Sequence, residues 1–324
     1  MMKKTVTGLT SLLLLILILL FPQTALQGAS KGLLLWFNRI IPALLPCMIL
    51  TNLCIHSGML EKLTVSDNNA AGYVTGLSGY GLYTALLGLL CGFPMGAKLV
   101  HDFYMEKKIT QNEAGFLLTF CSQLSPAFLA EYVLTDSFAE ASLRPMMLLC
   151  YYMSIFLLWI IGRCIFHRFF KDENVRKKSC AGVHLGGQTK KEVSQTFCLS
   201  ENLDTSIMNS LETILRIGGY IILFSVLAAG LEHILRISET GSSILVSLLE
   251  ITTGLEQIES CSLSTLQKGI LINSLCAFGG LSSLMQVSGV LKGTELPVRI
   301  CFIAKAGQAA LTALMTGLLF FFVL

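Results

Sequence analysis

Apolar positions fill this chain in long blocks, and the blocks are interrupted in a repeating way. A leucine-rich leader (9–21) is followed by GLLLWFNRIIPALLPCMILTNLCIHSGML, which carries Pro42 and Pro46 about one helical turn apart. The polar stretch 61–72 precedes a glycine-rich apolar segment, 73–100, that breaks at Gly92, Phe93, Pro94, Met95 and Gly96. A charged connector, 105–112, leads into EAGFLLTFCSQLSPAFLAEYVL, itself interrupted at 122–126. RPMMLLCYYMSIFLLWIIGRCIF then reads as an unbroken span. Several blocks approach the roughly 20 apolar residues that cross a hydrocarbon core. Trp159 and the pair Tyr151-Tyr152 stand out in the unbroken span as interface anchors.

The pattern then repeats. An amphipathic lead-in, NLDTSIMNSLETILRIGG, opens a second half containing YIILFSVLAAGLEHIL, SSILVSLLEITTGLEQIES, LQKGILINSLCAFGGLSSLMQVSGVL and VRICFIAKAGQAALTALMTGLLFFFVL. In the first half a full span precedes an apolar run ending in CGFPMGAK, a connector, and a run broken at CSQLSPAF. In the second, a full span precedes a run ending in EITTGLE, a connector, and a run broken at CAFGGLSS. Interrupted segments at corresponding positions of two halves point to a transporter binding site. Backbone that is not helical survives at membrane depth where it is buried in protein or lines a cavity, and 92–96 is read as the tip of a re-entrant hairpin. The predicted fold is an all-α polytopic membrane protein with two inverted repeats, each with a re-entrant hairpin and a broken transmembrane helix. Its predicted divisions are an anchor or signal-like segment (1–31), a first repeat with a closing span (32–167), a basic cytoplasmic loop (168–200) and a second repeat (201–324).

Composition agrees with the pattern. Hydrophobic residues make up 53% of the 324 residues and charged residues 13%, where a soluble domain carries about 25% charged. Mean hydropathy is +0.70. The net charge of +3 matters less than its location: Arg163, Arg168, Lys171, Arg176, Lys177, Lys178, Lys190 and Lys191 are eight of the 23 basic residues. The positive-inside bias places that loop in the cytoplasm, and a juxtamembrane role accounts for it without a nucleic-acid partner. The eleven cysteines occur singly, with no C-x-x-C, and read as reduced, small apolar residues. Residues 1–30 have a basic start and an apolar core like a signal peptide, but TALQGAS lacks a clean A-x-A cleavage site, so the segment is read as a retained first transmembrane helix.

The stretches GLLLWFNRIIPALLPCMIL, GFPMGAKL with ITQNEAGFLLTFCSQLSPAFL, and LLEITTGL with FGGLSSLMQV resemble the YlbJ-type sporulation integral membrane proteins. That group belongs to the wider nucleoside-recognition (Gate) domain membrane proteins, which are similar to concentrative nucleoside transporters. The resemblance implies that hairpin tips and broken helices form substrate and ion sites, and that the role is export of dipicolinic acid during endospore formation. Carried over position by position, it implies a first tip of Gly92, Phe93, Pro94, Met95, Gly96 and Lys98, with Ser122, Gln123, Ser125 and Pro126 at the first broken helix. The second half contributes Glu250, Thr252, Thr253, Gly254 and Glu256, with Phe278, Gly279, Gly280, Ser282, Ser283 and Gln286. Phe93-Pro94-Met95 replaces the Gln-x-Glu type of polar tip found in the nucleoside transporters, which argues against a nucleoside as substrate.

Each position also has a plainer reading. Lys98 either meets an anionic solute or snorkels to the interface. Glu250 is an intramembrane carboxylate, either a ligand for a coupling ion, Na+ or H+, or a paired structural acid. Ser122, Gln123 and Ser125 satisfy backbone groups freed by the break, with or without touching solute. Gly279-Gly280 is a break or a small-residue packing seam. His101, Asp102 and Glu106 read as solvated connector polarity rather than a metal site, and no cofactor is implied. Lys305, Gln308 and Thr312 form a polar stripe in the last span that is not assigned to the site. The leading function is a secondary transporter or permease for a small, anionic solute, moving it by alternating access. An intramembrane enzyme and a non-transporting scaffold are the other two classes; no H-E-x-x-H occurs, and the acids in the spans are isolated glutamates.

Overall fold

The computed structural model describes residues 14–57, 75–130, 143–169, 199–235 and 238–323, with positions 8 and 12. Every regular element among them is helical. In chain order they are α1 (Pro22–Leu35), a π-helical turn (Trp36–Ile40), α2 (Ile41–His56), α3 (Gly79–Cys91), α4 (Met95–Met105), α5 (Gln111–Phe120), α6 (Pro126–Leu129) and α7 (Arg144–Phe169). There follow α8 (Leu199–Leu235), α9 (Glu239–Leu249), α10 (Ile251–Ser260), α11 (Thr265–Phe278), α12 (Gly280–Val290) and α13 (Val298–Val323). Among the described residues five stretches are long and apolar enough to cross a membrane: Pro22–Cys54, Arg144–Ile165, Asn202–Leu235, Thr265–Val290 and Val298–Phe322. The side chains are arranged for lipid: Phe37, Leu149, Phe156, Leu223, Leu314 and Phe321 face outward, while Asn52, Ser154, Asn273, Thr312 and Thr316 are buried. Without water at the outer surface, polar groups pair between helices and apolar ones meet acyl chains.

Those buried polar groups tie the helices together. Asn273 Nδ2 donates to Met147 O (3.0 Å) and Thr316 Oγ1 (2.8 Å), joining α11 to α7 and α13. Thr312 Oγ1 donates to Ser154 Oγ at 2.8 Å, a second bond between α13 and α7. Asn52 Nδ2 donates to Ser210 Oγ at 2.8 Å, joining α2 to α8.

Two elements differ from the sequence reading. The amphipathic lead-in and the span after it form one 37-residue helix, α8, which runs through Gly218-Gly219 without a break. The glycine is a notch: a Cβ on Gly218 would stand 2.5 Å from the Trp36 indole, whose Nε1 donates to Ile214 O at 3.0 Å. Tyr151 is no interface anchor. It is fully buried, and its hydroxyl accepts from Leu124 N (3.2 Å) and donates to Gln123 Oε1 (3.4 Å), so it braces the first broken helix from α7.

The expected boundary between anchor and first repeat, at 31/32, falls inside α1. Gly28 and Gly32 lie one turn apart where α1 meets α8; Cβ atoms there would come within 2.8 Å of Ser225, the close approach that a small-xxx-small seam permits. The same five residues, Gly28-Ala29-Ser30-Lys31-Gly32, have G-x-S-x-G spacing, but a nucleophile elbow needs a strand-to-helix turn and this stretch is mid-helix. The π-helical turn lies just before Pro42, which has no N–H to give to the preceding turn. The polar stretch 61–72 and most of the basic loop, 170–198, lie outside the described residues.

Two helix pairs fold back as hairpins. In the first, Tyr80 at the start of α3 meets Phe103 near the end of α4, ring centroids 5.4 Å apart. In the second, Ser243 Oγ at the start of α9 lies 3.2 Å from Cys261 Sγ just past α10. Their arms are 13, 11, 11 and 10 residues, about 15–20 Å each at about 1.5 Å per residue. That is too short for a hydrocarbon core of about 30 Å. A carboxylate holds the open end of each hairpin. Glu113 Oε1 accepts from Ser78 N at 2.6 Å, and Glu232 Oε1 accepts from Ser242 Oγ and from Gln257 Nε2.

Candidate functional site

The tips of both hairpins rest against the breaks of both discontinuous helices. At the first tip Gly92 takes φ +72°, a left-handed conformation that favours glycine. The freed Phe93 N–H donates to Gln123 O at 2.8 Å, within the non-helical 121–125 segment between α5 and α6. The fit leaves no room for side chains: a Cβ on Gly96 would lie 2.1 Å from Cys121 O. Ser125 restarts the helix, its Oγ accepting from Phe128 N at 3.2 Å.

At the second tip a single residue, Glu250, turns the chain. Its backbone is extended (φ −141°, ψ 112°), ending α9 and starting α10. Its Oε2 caps α10 by accepting from Thr253 N (2.7 Å) and Thr252 Oγ1 (2.5 Å). Thr253 Oγ1 in turn lies 3.0 Å from Ser225 Oγ on α8. The tip packs on Gly279-Gly280, the break between α11 and α12, where both glycines have positive φ.

A cavity lies where these pieces meet. From the first half it is lined by Cys91, Phe93, Leu124, Ser125 and Phe128, and from the second by Glu250, Ile251, Thr252, Gly279, Ser282, Ser283 and Gln286. Its walls are mostly apolar with a few polar groups, the make-up of small-molecule sites. Of the residues expected at the site from sequence, Phe93, Ser125, Glu250, Thr252, Gly279, Ser282, Ser283 and Gln286 line the cavity. Gly92, Pro94, Met95, Gly96, Gly254 and Gly280 are buried behind it and shape the tips and breaks. Ser122, Gln123 and Thr253 are buried without lining it. Lys98 is exposed on the outer face of α4, away from the cavity. Glu256 is half-buried on α10, and Phe278 is buried, packed edge-on against Phe302.

Some of the site was not expected. Ile40 and Leu44 around the π-helical turn, with Ile217 and Ile221 of α8, form a further wall of the cavity. Nothing distinguishes these residues from ordinary apolar positions in sequence. Lys305 of α13 also lies here: its ammonium sits 5.4 Å from the Phe93 ring centre and 3.3 Å from where a Gly279 Cβ would be. A lone lysine in an apolar span was the signal for it. On α4 His101 bonds Asp102 (3.0 Å), and just past its end Glu106 pairs with Lys108 (2.8 Å). Among the described residues no three His, Cys, Asp or Glu side chains are grouped to hold a metal.

No protein-family model matches this chain, and no solved structure matches it. It is similar to the sporulation integral membrane protein YlbJ of Bacillus subtilis (strain 168), 26% identical over 320 residues, covering 92% of this chain and 78% of that protein. The likeness extends over nearly the whole chain, and the chain is a homologue of that protein.

Proposed function

We propose that this chain is a secondary permease of the sporulating cell that moves a small, anionic solute by alternating access. The observation that carries the reading is the meeting of two hairpin tips and two broken helices at one cavity, lined from both halves of the chain. Short hairpin arms docked on interrupted helices leave few continuous helices holding the site, so one hairpin can move against the rest while the cavity stays intact. Glu250 is the coupling group: the residue lines the cavity, and its Oε2 accepts from Thr252 Oγ1 and Thr253 N. It takes a proton or Na+ together with the solute.

The sporulation role follows the relative's name, and dipicolinate is the solute implied by the resemblance to YlbJ-type proteins. The test is the dipicolinate content of spores from a strain lacking this gene, complemented with wild type or Glu250→Gln. Spores poor in dipicolinate although its synthesis is intact, restored by wild type and not by Glu250→Gln, are the expected result. Normal dipicolinate content in the deletion strain would rule out this solute.

A further inference from the structure

We propose that Lys305 and the N-terminus of α12 form a carboxylate-binding subsite on the cavity wall at Gly279, an inference that rests on the permease reading and names how the solute's charge is recognised. Two independent features bring positive charge to one point. The first is Lys305, 1% exposed, whose Nζ has no hydrogen-bond partner among the described residues. The Phe93 ring offers it a cation–π contact, 5.4 Å to the ring centre, that weakly compensates a desolvated ammonium. An ammonium held away from water without a counter-ion is unfavourable unless something anionic visits it.

The second feature is the start of α12. Its N-cap, Gly279, supplies no side-chain cap, so the first-turn N–H groups and the positive end of the helix dipole are left for a ligand. Gly279 brings the two features together. A Cβ there would stand 3.3 Å from Lys305 Nζ and 3.1 Å from Ser283 Oγ, at the stretch of cavity wall that Gly279, Ser283 and Phe93 supply. One turn further along α13, both amide atoms of Gln308 are buried without partners, a second unpaired donor beside Lys305. A planar carboxylate takes one oxygen on the ammonium and the other on the helix N-terminus, while its apolar body faces Phe93 and Phe128.

The test is equilibrium binding of dipicolinate to purified full-length protein in detergent, paired with flux of the same anion in vesicles. Wild type, Lys305→Gln, Lys305→Arg and Lys305→Met are compared. Lys305→Gln and Lys305→Met should weaken binding at least about tenfold, and Lys305→Arg less than either, because the charge is kept. Thermal unfolding of Lys305→Met should be unchanged or raised, since an uncompensated buried charge is removed. Three outcomes separate this subsite from the permease reading. Wild-type flux with binding unaffected by Lys305→Gln overturns the subsite and leaves the permease. Lys305-dependent binding without wild-type flux supports the subsite and removes the permease. Neither binding nor flux in wild type overturns both.

Discussion

Glu250 and Lys305 are the two buried Asp, Glu, Lys or Arg side chains among the described residues, and they are held in opposite ways. Glu250 is engaged by a hydroxyl and a backbone N–H at the start of α10, whereas Lys305 faces an aromatic ring and has no hydrogen-bond partner among the described residues. Replacing Glu250 by Gln keeps the cap, because the amide oxygen still accepts from Thr253 N, and removes the exchangeable charge. Glu250→Gln should therefore fold normally and lose ion-coupled flux; flux at the wild-type level would show that the carboxylate is a cap and nothing more. Both residues are legible in the sequence as charges inside apolar runs, but their partners are not. Lys98 is the counter-example: by sequence position it follows the first tip directly, yet one turn of helix carries it to the outer face of α4. Which way a side chain points from a hairpin arm depends on the rotation of that arm, and the spacing of residues around the tip does not set it.

At the scale of elements, the breaks were the most legible feature, because glycine, proline and polar residues inside apolar runs have few other uses in lipid. Gly92, Gly279 and Gly280 have the positive φ that makes glycine necessary, Ser125 is an N-cap of ordinary type, and Glu250 caps α10 with its carboxylate. The Gly218-Gly219 pair reads the same way in sequence and marks no break, since its glycine admits the Trp36 ring. The difference lies in what packs against the glycine, and that is a tertiary fact. Two substitutions separate close approach from helix propensity. A Cβ on Gly254 would stand 2.2 Å from Ser247 Cα, so Gly254→Ala must push the arms of the second hairpin apart and lower stability by about 1–3 kcal/mol. A Cβ on Gly307 meets nothing, so Gly307→Ala should be neutral or stabilising by up to about 1 kcal/mol. Equal unfolding temperatures for the two variants would contradict this packing. Gly96→Val is expected to undock the first tip from Cys121 O and stop flux; unchanged flux would place that tip outside the pathway.

The whole molecule is held by apolar packing inside an apolar solvent, so its few polar contacts between helices carry specificity. Asn273 spends both amide hydrogens on α7 and α13, and Asn273→Ala should lower stability by about 1–2 kcal/mol, read as a drop in unfolding temperature in detergent. All-helical class and membrane residence were legible from composition and block length alone. The wall formed by Ile40, Leu44, Ile217 and Ile221 was not, because isoleucines and leucines that face a cavity look the same in sequence as those facing lipid. The central claim is that the cavity between the hairpin tips is a solute pathway. Uptake of labelled dipicolinate into vesicles containing the purified chain tests it most directly. Saturable uptake above that of empty vesicles, lost in Glu250→Gln, is expected. Uptake no greater than in empty vesicles, with the protein folded and inserted, would contradict it.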